Sequence, residues 1–204
     1  DMPSLEGERL SKRVMVELSC SRASAEQAIA LGAVSVDGSV VVEPGARARA
    51  EQRVAVDRSL LEQGARPATL LLHKPARTTP AQTQRLLQAR AHWNQDPYTG
   101  PQAPGHLTRQ ACEVGLEQAG SGLLIYTQDP VQRRHLQERL GVLEQELMVD
   151  VLENVSPEQL HALAQLQFDE ALRLPRFKVS LGSQGENGTR LRFAVKGSHP
   201  GLIG

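Results

Sequence analysis

The chain has 204 residues, of which 40% are hydrophobic, 23% charged and 3% aromatic, a composition typical of folded globular proteins rather than disordered or collagen-like ones. No stretch approaches the roughly 18 consecutive apolar residues of a membrane span, and residues 1–13 lack the apolar stretch of a signal peptide. Two cysteines cannot supply a disulfide framework. Together these features lead us to expect a cytoplasmic protein. Basic and acidic residues balance at 23 each, which argues against a protein that coats nucleic acid through net charge.

Two helices are predicted first. Residues 7–19 form one amphipathic helix, and residues 23–31 form a second, whose small and apolar side chains are spaced for one face. Ser21 is placed to cap the N-terminus of the second helix, and Gly32 is placed to end it.

A β-hairpin is predicted next. The Asp37-Gly38 pair is typical of a two-residue hairpin turn between apolar strands. Three short strands are expected, at 33–36, 40–42 and 53–56. We therefore predict a small helix–helix–hairpin domain over 1–58, followed by a linker over 59–67.

The remaining residues, 68–204, predict a second, larger α+β domain. Apolar segments predict strands at 70–72, 123–126, 146–152, 177–181 and 190–195. Helices are predicted from Pro130 to Leu140 and from the Ser156 capping box to about residue 167. The segment 76–110 is rich in Gln, Thr, Pro and Gly; we predict a short helix around Leu86-Leu87 and a loop over 95–105.

The first domain resembles the S4-like RNA-binding domain, which is named for a ribosomal small-subunit protein. The motifs that carry the resemblance are Arg9-Leu10-Ser11-Lys12-Arg13, Ser21-Arg22, Gly32 and Val36-Asp37-Gly38. The resemblance implies that Arg9, Lys12, Arg13 and Arg22 contact RNA phosphates. Their chemistry agrees, because Arg9 and Arg13 are spaced to share one helical face and cations there suit the RNA backbone. Since acidic residues slightly outnumber basic ones over 1–58, we expect a structured RNA as the partner.

The second domain resembles the small-subunit rRNA pseudouridine synthase family over roughly 68–195. Leu70 to Pro75 is similar to the family's strand ending in Asn-Lys-Pro, and Gly120 to Asp129 is similar to its Thr-Ser-Gly-Leu-Leu-Leu-Leu-Thr-Asn-Asp segment. The resemblance implies a mixed or antiparallel sheet with flanking helices, isomerisation of uridine in structured rRNA, and Lys74 at the margin of an RNA groove. It implies no cofactor.

The positions that carry the family's chemistry are changed. Glu117 stands where the family has its catalytic aspartate, and Gly115 stands at or beside the position of its arginine partner. Gln145 and Leu147 replace the family's lysine and tyrosine. The terminal arginines are replaced within Lys196 to Gly201, and the family's last helix and strand have no counterpart, so the second domain is expected to be short at its C-terminus.

We therefore predict a protein of this family that binds structured rRNA, with uridine isomerisation opposed by the changed positions. One alternative is an active synthase in which Glu117 supplies the carboxylate. Another is a ribosome-associated assembly or quality-control factor that uses the first domain alone. The six histidines show no paired metal spacing, so we expect no metal. The absence of a long apolar stretch leads us to expect no membrane partner, and the sequence does not indicate the oligomeric state.

Overall fold

A computed structural model describes residues 7–63, 66–100 and 102–204. The first six residues of the predicted first domain, positions 64 and 65 of the predicted linker, and position 101 of the predicted loop lie outside the described residues. Backbone contacts divide the described chain into two units. The first comprises residues up to 70, Thr79–Ala111 and Tyr126–Asp129, and the second comprises Leu71–Thr78, Cys112–Ile125 and Pro130–Gly204. The predicted boundary over 59–67 stays a prediction.

The two predicted helices of the first unit are present as α1 (Leu10–Leu18) and α2 (Arg22–Leu31). As predicted, the Ser21 side chain caps α2 by accepting a hydrogen bond from the Ser24 N–H, and Gly32 ends the helix with φ +88°. Two further helices are α3 (Arg58–Gln63), which begins at the last residue of the predicted first domain and runs into the predicted linker, and α4 (Pro80–Gln84).

The strands of the first unit form two small antiparallel sheets. The strand β1 (Glu8–Arg9) pairs with β4 (Arg47–Ala48), and β2 (Val34–Val36) lies between β3 (Ser39–Val40) and β5 (Val54–Val56). The predicted hairpin is confirmed, with positive φ at both Asp37 (50°) and Gly38 (82°), the backbone that a two-residue turn needs. The prediction of helix from residue 7 is wrong at β1, because residues 8 and 9 pair with a segment almost forty positions away.

One hydrophobic core holds the helices and strands of the first unit together. It is formed by apolar side chains that share almost complete burial: Leu10, Val14, Ala25, Ala28, Ile29, Val34, Val36 and Ala48. The α1 and α2 side chains recur every three or four positions, and the β2 side chains alternate, as amphipathic elements require. The core therefore fixes the faces that α1 and α2 turn to solvent.

The remaining strands begin with β6 (Thr69–Lys74), β7 (Ala111–Val114) and β8 (Gly122–Thr127), in the order β6, β8, β7. They are followed by α5 (Pro130–Arg139), β9 (Glu144–Val151), α6 (Pro157–Gln165), β10 (Phe177–Gly185) and β11 (Gly188–Lys196). The predicted capping box at Ser156 and Gln159 is confirmed at the start of α6. None of the helices in the described ranges is long and apolar enough to cross a membrane.

An antiparallel sheet in the order β10, β11, β9 contains the core of the second unit. Its buried face carries Phe177, Leu191, Phe193 and Val195, and the rings of Phe177 and Phe193 lie 5.6 Å apart. Leu160 and Leu163 of α6 pack against this cluster. The pairing of β10 with β11 shifts register between Leu181 and Ser183, where a β-bulge lies. The molecule is thus an α+β protein with antiparallel sheets.

Candidate functional site

Three of the four cations predicted to contact phosphates, Arg9, Lys12 and Arg22, are exposed, and Arg13 is half-buried. Arg9 directly precedes α1, and its side chain has no hydrogen-bond or salt-bridge partner within the described ranges. Lys12 is 70% exposed, and its ammonium lies 2.6 Å from the Glu8 carboxylate. The hydrogen bond to Glu8 raises the pKa of Lys12 above its ordinary value. Because exposed ion pairs contribute little to stability, Lys12 can exchange Glu8 for a phosphate at small cost.

Arg13 and Arg22 differ in their hydrogen-bond partners within the chain. The guanidinium of Arg13 donates to the carbonyl oxygens of Arg49 (2.8 Å) and Gln52 (2.9 Å), and thereby holds a turn against α1. Arg22 donates to the Glu26 carboxylate one helical turn away at 2.8 Å and stays 63% exposed. Arg22 therefore remains accessible to a ligand, whereas Arg13 has a structural role within the first unit.

An open groove of about 520 Å³ lies beside Arg13. It is lined by Gly7, Glu8, Arg13, Ala48, Arg49, Ala50 and Glu51. Two arginines and two glutamates face it, so its charge is balanced in the same way as that of the whole chain. A polyanion entering the groove would meet both signs of charge, which favours a partner of defined shape over an arbitrary duplex.

Lys74, predicted at the margin of an RNA groove, is buried in the second unit and only 3% exposed. Its ammonium donates to three carbonyl oxygens, those of Pro75 (3.1 Å), Gln118 (2.9 Å) and Gly120 (2.6 Å). Since an ammonium has three N–H groups, all of its donors are used within the chain. This geometry opposes direct contact between Lys74 and a phosphate, and makes Lys74 a support for the segment that follows Glu117.

Glu117, the candidate catalytic carboxylate, lies in a turn closed by a hydrogen bond from the Gly120 N–H to the Glu117 carbonyl oxygen. The side chain is half-buried, and its Oε1 atom makes one long contact, 3.5 Å from the Ile203 N–H. No lysine, arginine or histidine of the described chain forms a salt bridge with it. Among the described residues, the carboxylate therefore has no ion-pair partner to orient it.

A small pocket brings Glu117 together with the other changed positions. It is lined by Gly115, Leu116, Glu117, Gln145, Leu147, Val195, Ser198, His199, Pro200 and Leu202. The fold brings Gly115, Gln145 and Leu147 together in this pocket, although they lie up to about thirty residues apart along the chain. None of the lining residues is lysine, arginine or tyrosine. The pocket encloses only about 20 Å³, room for about one water molecule.

The structure also identifies residues that the sequence did not. Arg47 lies opposite Arg9 in the β1–β4 pair, and Arg49 lines the groove. No local signal could have found them, because their placement depends on strand pairing between distant segments. Among the described residues, no group of three or more His, Cys, Asp or Glu side chains could hold a metal ion.

Comparisons with known proteins give limited similarity. No protein-family model matches the chain, and no curated protein matches it. Among solved structures, the crystal structure of a pseudouridylate synthase aligns with 96% of this chain and 80% of its own, at 13% identity and a TM-score of 0.42. At that score and identity the similarity does not establish a shared fold.

Proposed function

We propose that this protein binds structured RNA, with rRNA as its partner, through an S4-like module in its first 58 residues. The proposal draws on the sequence resemblance of that region and on the exposed cations Arg9, Lys12 and Arg22. Phosphate contacts by such cations release counterions, so binding should weaken steeply as salt increases. The partner is assigned by the resemblance.

We further propose that the second unit is a pseudouridine-synthase-like domain that does not isomerise uridine. The observation that carries this proposal is the lining of the pocket beside Glu117. A carboxylate acting on a sugar needs a nearby cation to hold it in place, and a flipped uridine needs a ring to stack on. At the positions in question the pocket has Gly115, Gln145 and Leu147, none of which carries a positive charge or a ring.

One observation favours a second candidate, an active synthase that uses Glu117. Glu117 does line the pocket, together with the imidazole-bearing His199. A glutamate retains the charge of an aspartate but places it farther from the backbone by one bond of about 1.5 Å. A displacement of this size in a reacting group costs on the order of 100-fold in rate, which would leave slow but measurable activity.

One experiment addresses both proposals. The full chain is incubated with a structured rRNA transcript, filter binding is measured across a salt series, and pseudouridine is detected chemically. We expect salt-dependent binding and no pseudouridine, both for the wild type and for Glu117→Asp, which restores the family's residue but not its partners. Pseudouridine that disappears in Glu117→Ala would establish the active synthase. Absence of binding to any folded transcript at low salt would overturn the RNA proposal.

A further inference from the structure

Two arginines face each other across the β1–β4 pair. The register sets Arg9 opposite Arg47, and Glu8 opposite Ala48. Directly opposite residues of an antiparallel pair project to the same side, with Cβ atoms about 4.5–5.5 Å apart. Both arginines are exposed, whereas Ala48 is buried on the other side of the pair. The fold therefore sets two guanidinium groups side by side toward solvent.

Neither guanidinium is neutralised within the described chain. Arg47 donates to the carbonyl oxygen of Gly7 at 2.7 Å, which anchors its side chain without balancing its charge. Four other cations of the same unit, Lys12, Arg22, Arg49 and Arg58, each have a glutamate partner. Like charges set directly opposite each other in a sheet are destabilising. The pair thus carries a repulsion that a shared anion would relieve.

We propose that Arg9 and Arg47 together bind one phosphate group of the RNA backbone. This rests on the proposed RNA-binding function and adds to it a residue, Arg47, that the sequence resemblance does not include. Guanidinium groups match phosphate oxygens in geometry, since each presents planar, parallel N–H donors. The hydrogen bond from Arg47 to Gly7 uses one of its five N–H donors and leaves the others for the ligand.

A double-mutant cycle in the full chain tests the shared phosphate. Arg9→Gln, Arg47→Gln and the double variant are compared with Arg53→Gln, a matched control that removes the same charge from an exposed position in the same unit. We expect each single variant to bind structured rRNA about tenfold more weakly and to lower the salt slope by about 0.7–0.9. The double variant should lose less than the product of the two single losses, because one phosphate is shared.

A second measurement does not depend on RNA. Inorganic phosphate, compared with chloride at equal ionic strength, should raise the Tm of the wild type and of Arg53→Gln. The Tm of Arg9→Gln and of Arg47→Gln should be the same in phosphate as in chloride. The same unfolding curves show that the variants fold.

The outcomes separate the two proposals. If the wild type binds RNA and the paired variants bind as Arg53→Gln does, the two-arginine site is wrong while the RNA function stands. If phosphate stabilises the wild type but no RNA binds, the assignment to RNA is overturned. If neither ligand has an effect, both proposals fail.

Discussion

The Nζ atom of Lys74 lies 2.6 Å from the carbonyl oxygen of Gly120. Two further carbonyls, of Pro75 and Gln118, complete the surroundings of this buried ammonium. The contacts connect the end of β6 to a turn more than forty residues later, and that turn begins at Glu117. The position of the candidate carboxylate therefore depends on a lysine that never reaches solvent.

Replacing Lys74 with methionine tests this dependence. Methionine keeps a long apolar side chain but donates no hydrogen bonds, so three carbonyl oxygens lose their partner. Because the lost hydrogen bonds come from a charged and buried donor, we expect the free energy of unfolding to fall by about 2 kcal/mol or more. Urea denaturation provides the measurement.

The control for Lys74→Met is Lys196→Met on the exposed face of β11, the central strand of its sheet. A substitution at an exposed site without partners should change stability by no more than about 0.5 kcal/mol. Equal effects of the two substitutions would mean that the carbonyl contacts of Lys74 do not stabilise the fold.

Arg13 and Arg22 should separate structural from ligand-binding cations. Arg13→Gln removes two hydrogen bonds to the 49–52 turn, and we expect it to lower the free energy of unfolding by about 1–3 kcal/mol. Arg22→Gln removes an exposed pair with Glu26, which contributes only about 0.3–0.5 kcal/mol. Arg22→Gln should instead weaken rRNA binding while stability is nearly unchanged.

Thermal unfolding and filter binding of the two variants, measured side by side, check this contrast. A marked loss of stability in Arg22→Gln, or none in Arg13→Gln, would reverse the roles assigned to the two side chains.

The Asp37 carboxylate should make the hairpin sensitive to acid. It accepts hydrogen bonds from the Arg53 N–H (2.9 Å) and the Gln52 side chain (3.2 Å), and the bond from the Arg53 N–H is the main cause that lowers the pKa of Asp37. A lowered pKa means that the charged form stabilises the folded state. That stabilisation is present above the ordinary aspartate value of about 3.9 and is lost as pH falls below it.

Asp37→Asn isolates the charge, because asparagine before glycine also favours this turn. The wild type should be more stable than Asp37→Asn at neutral pH, and the difference should shrink as pH falls below about 4. Urea unfolding across a pH series measures it. A difference that stays constant with pH would show that the carboxylate's charge is not responsible.

Gly32 tests the end of α2. Its φ of +88° is unfavourable for other residues, and an added Cβ would lie 2.8 Å from the Cβ of Pro104 and 2.9 Å from the Gly105 nitrogen. We expect Gly32→Ala to cost about 1–2 kcal/mol or more. Gly45→Ala is the control, since nothing lies within 4 Å of its added Cβ; it should be neutral or slightly stabilising. Calorimetric unfolding of both variants decides the matter.

Features with a local chemical cause were predictable from the sequence. The Asp37-Gly38 turn, the Ser21 and Ser156 caps, and Gly32 at the end of α2 all depend on residues within a few positions of one another. The helix α4 was predictable but missed. Thr79 and Gln82 form a capping box there, and the structure places the helix at Pro80–Gln84 rather than around Leu86-Leu87.

The features that could not be predicted from the sequence depend on contacts between segments far apart in the chain. A lysine is expected at the surface. Lys74 can be buried because the carbonyl oxygens of Gln118 and Gly120, from a distant segment, accept hydrogen bonds from its ammonium. Likewise, the sequence around Arg9 predicts a helix, whereas in the structure Arg9 pairs with Arg47 in two antiparallel strands. The resemblance to known families predicted which positions around Glu117 matter. It could not predict that Leu147 and Gln145 line a space for one water molecule.

The bulge between Leu181 and Ser183 bears on self-association. The strand β10 is at the edge of its sheet, and a long flat edge offers unpaired N–H and C=O groups to another chain. The bulge bends that edge and breaks its regular spacing, while Lys178 adds an exposed charge nearby. Together they discourage β10 from pairing with a strand of a second copy of the chain. Removal of the bulge should therefore promote aggregation more than it weakens RNA binding.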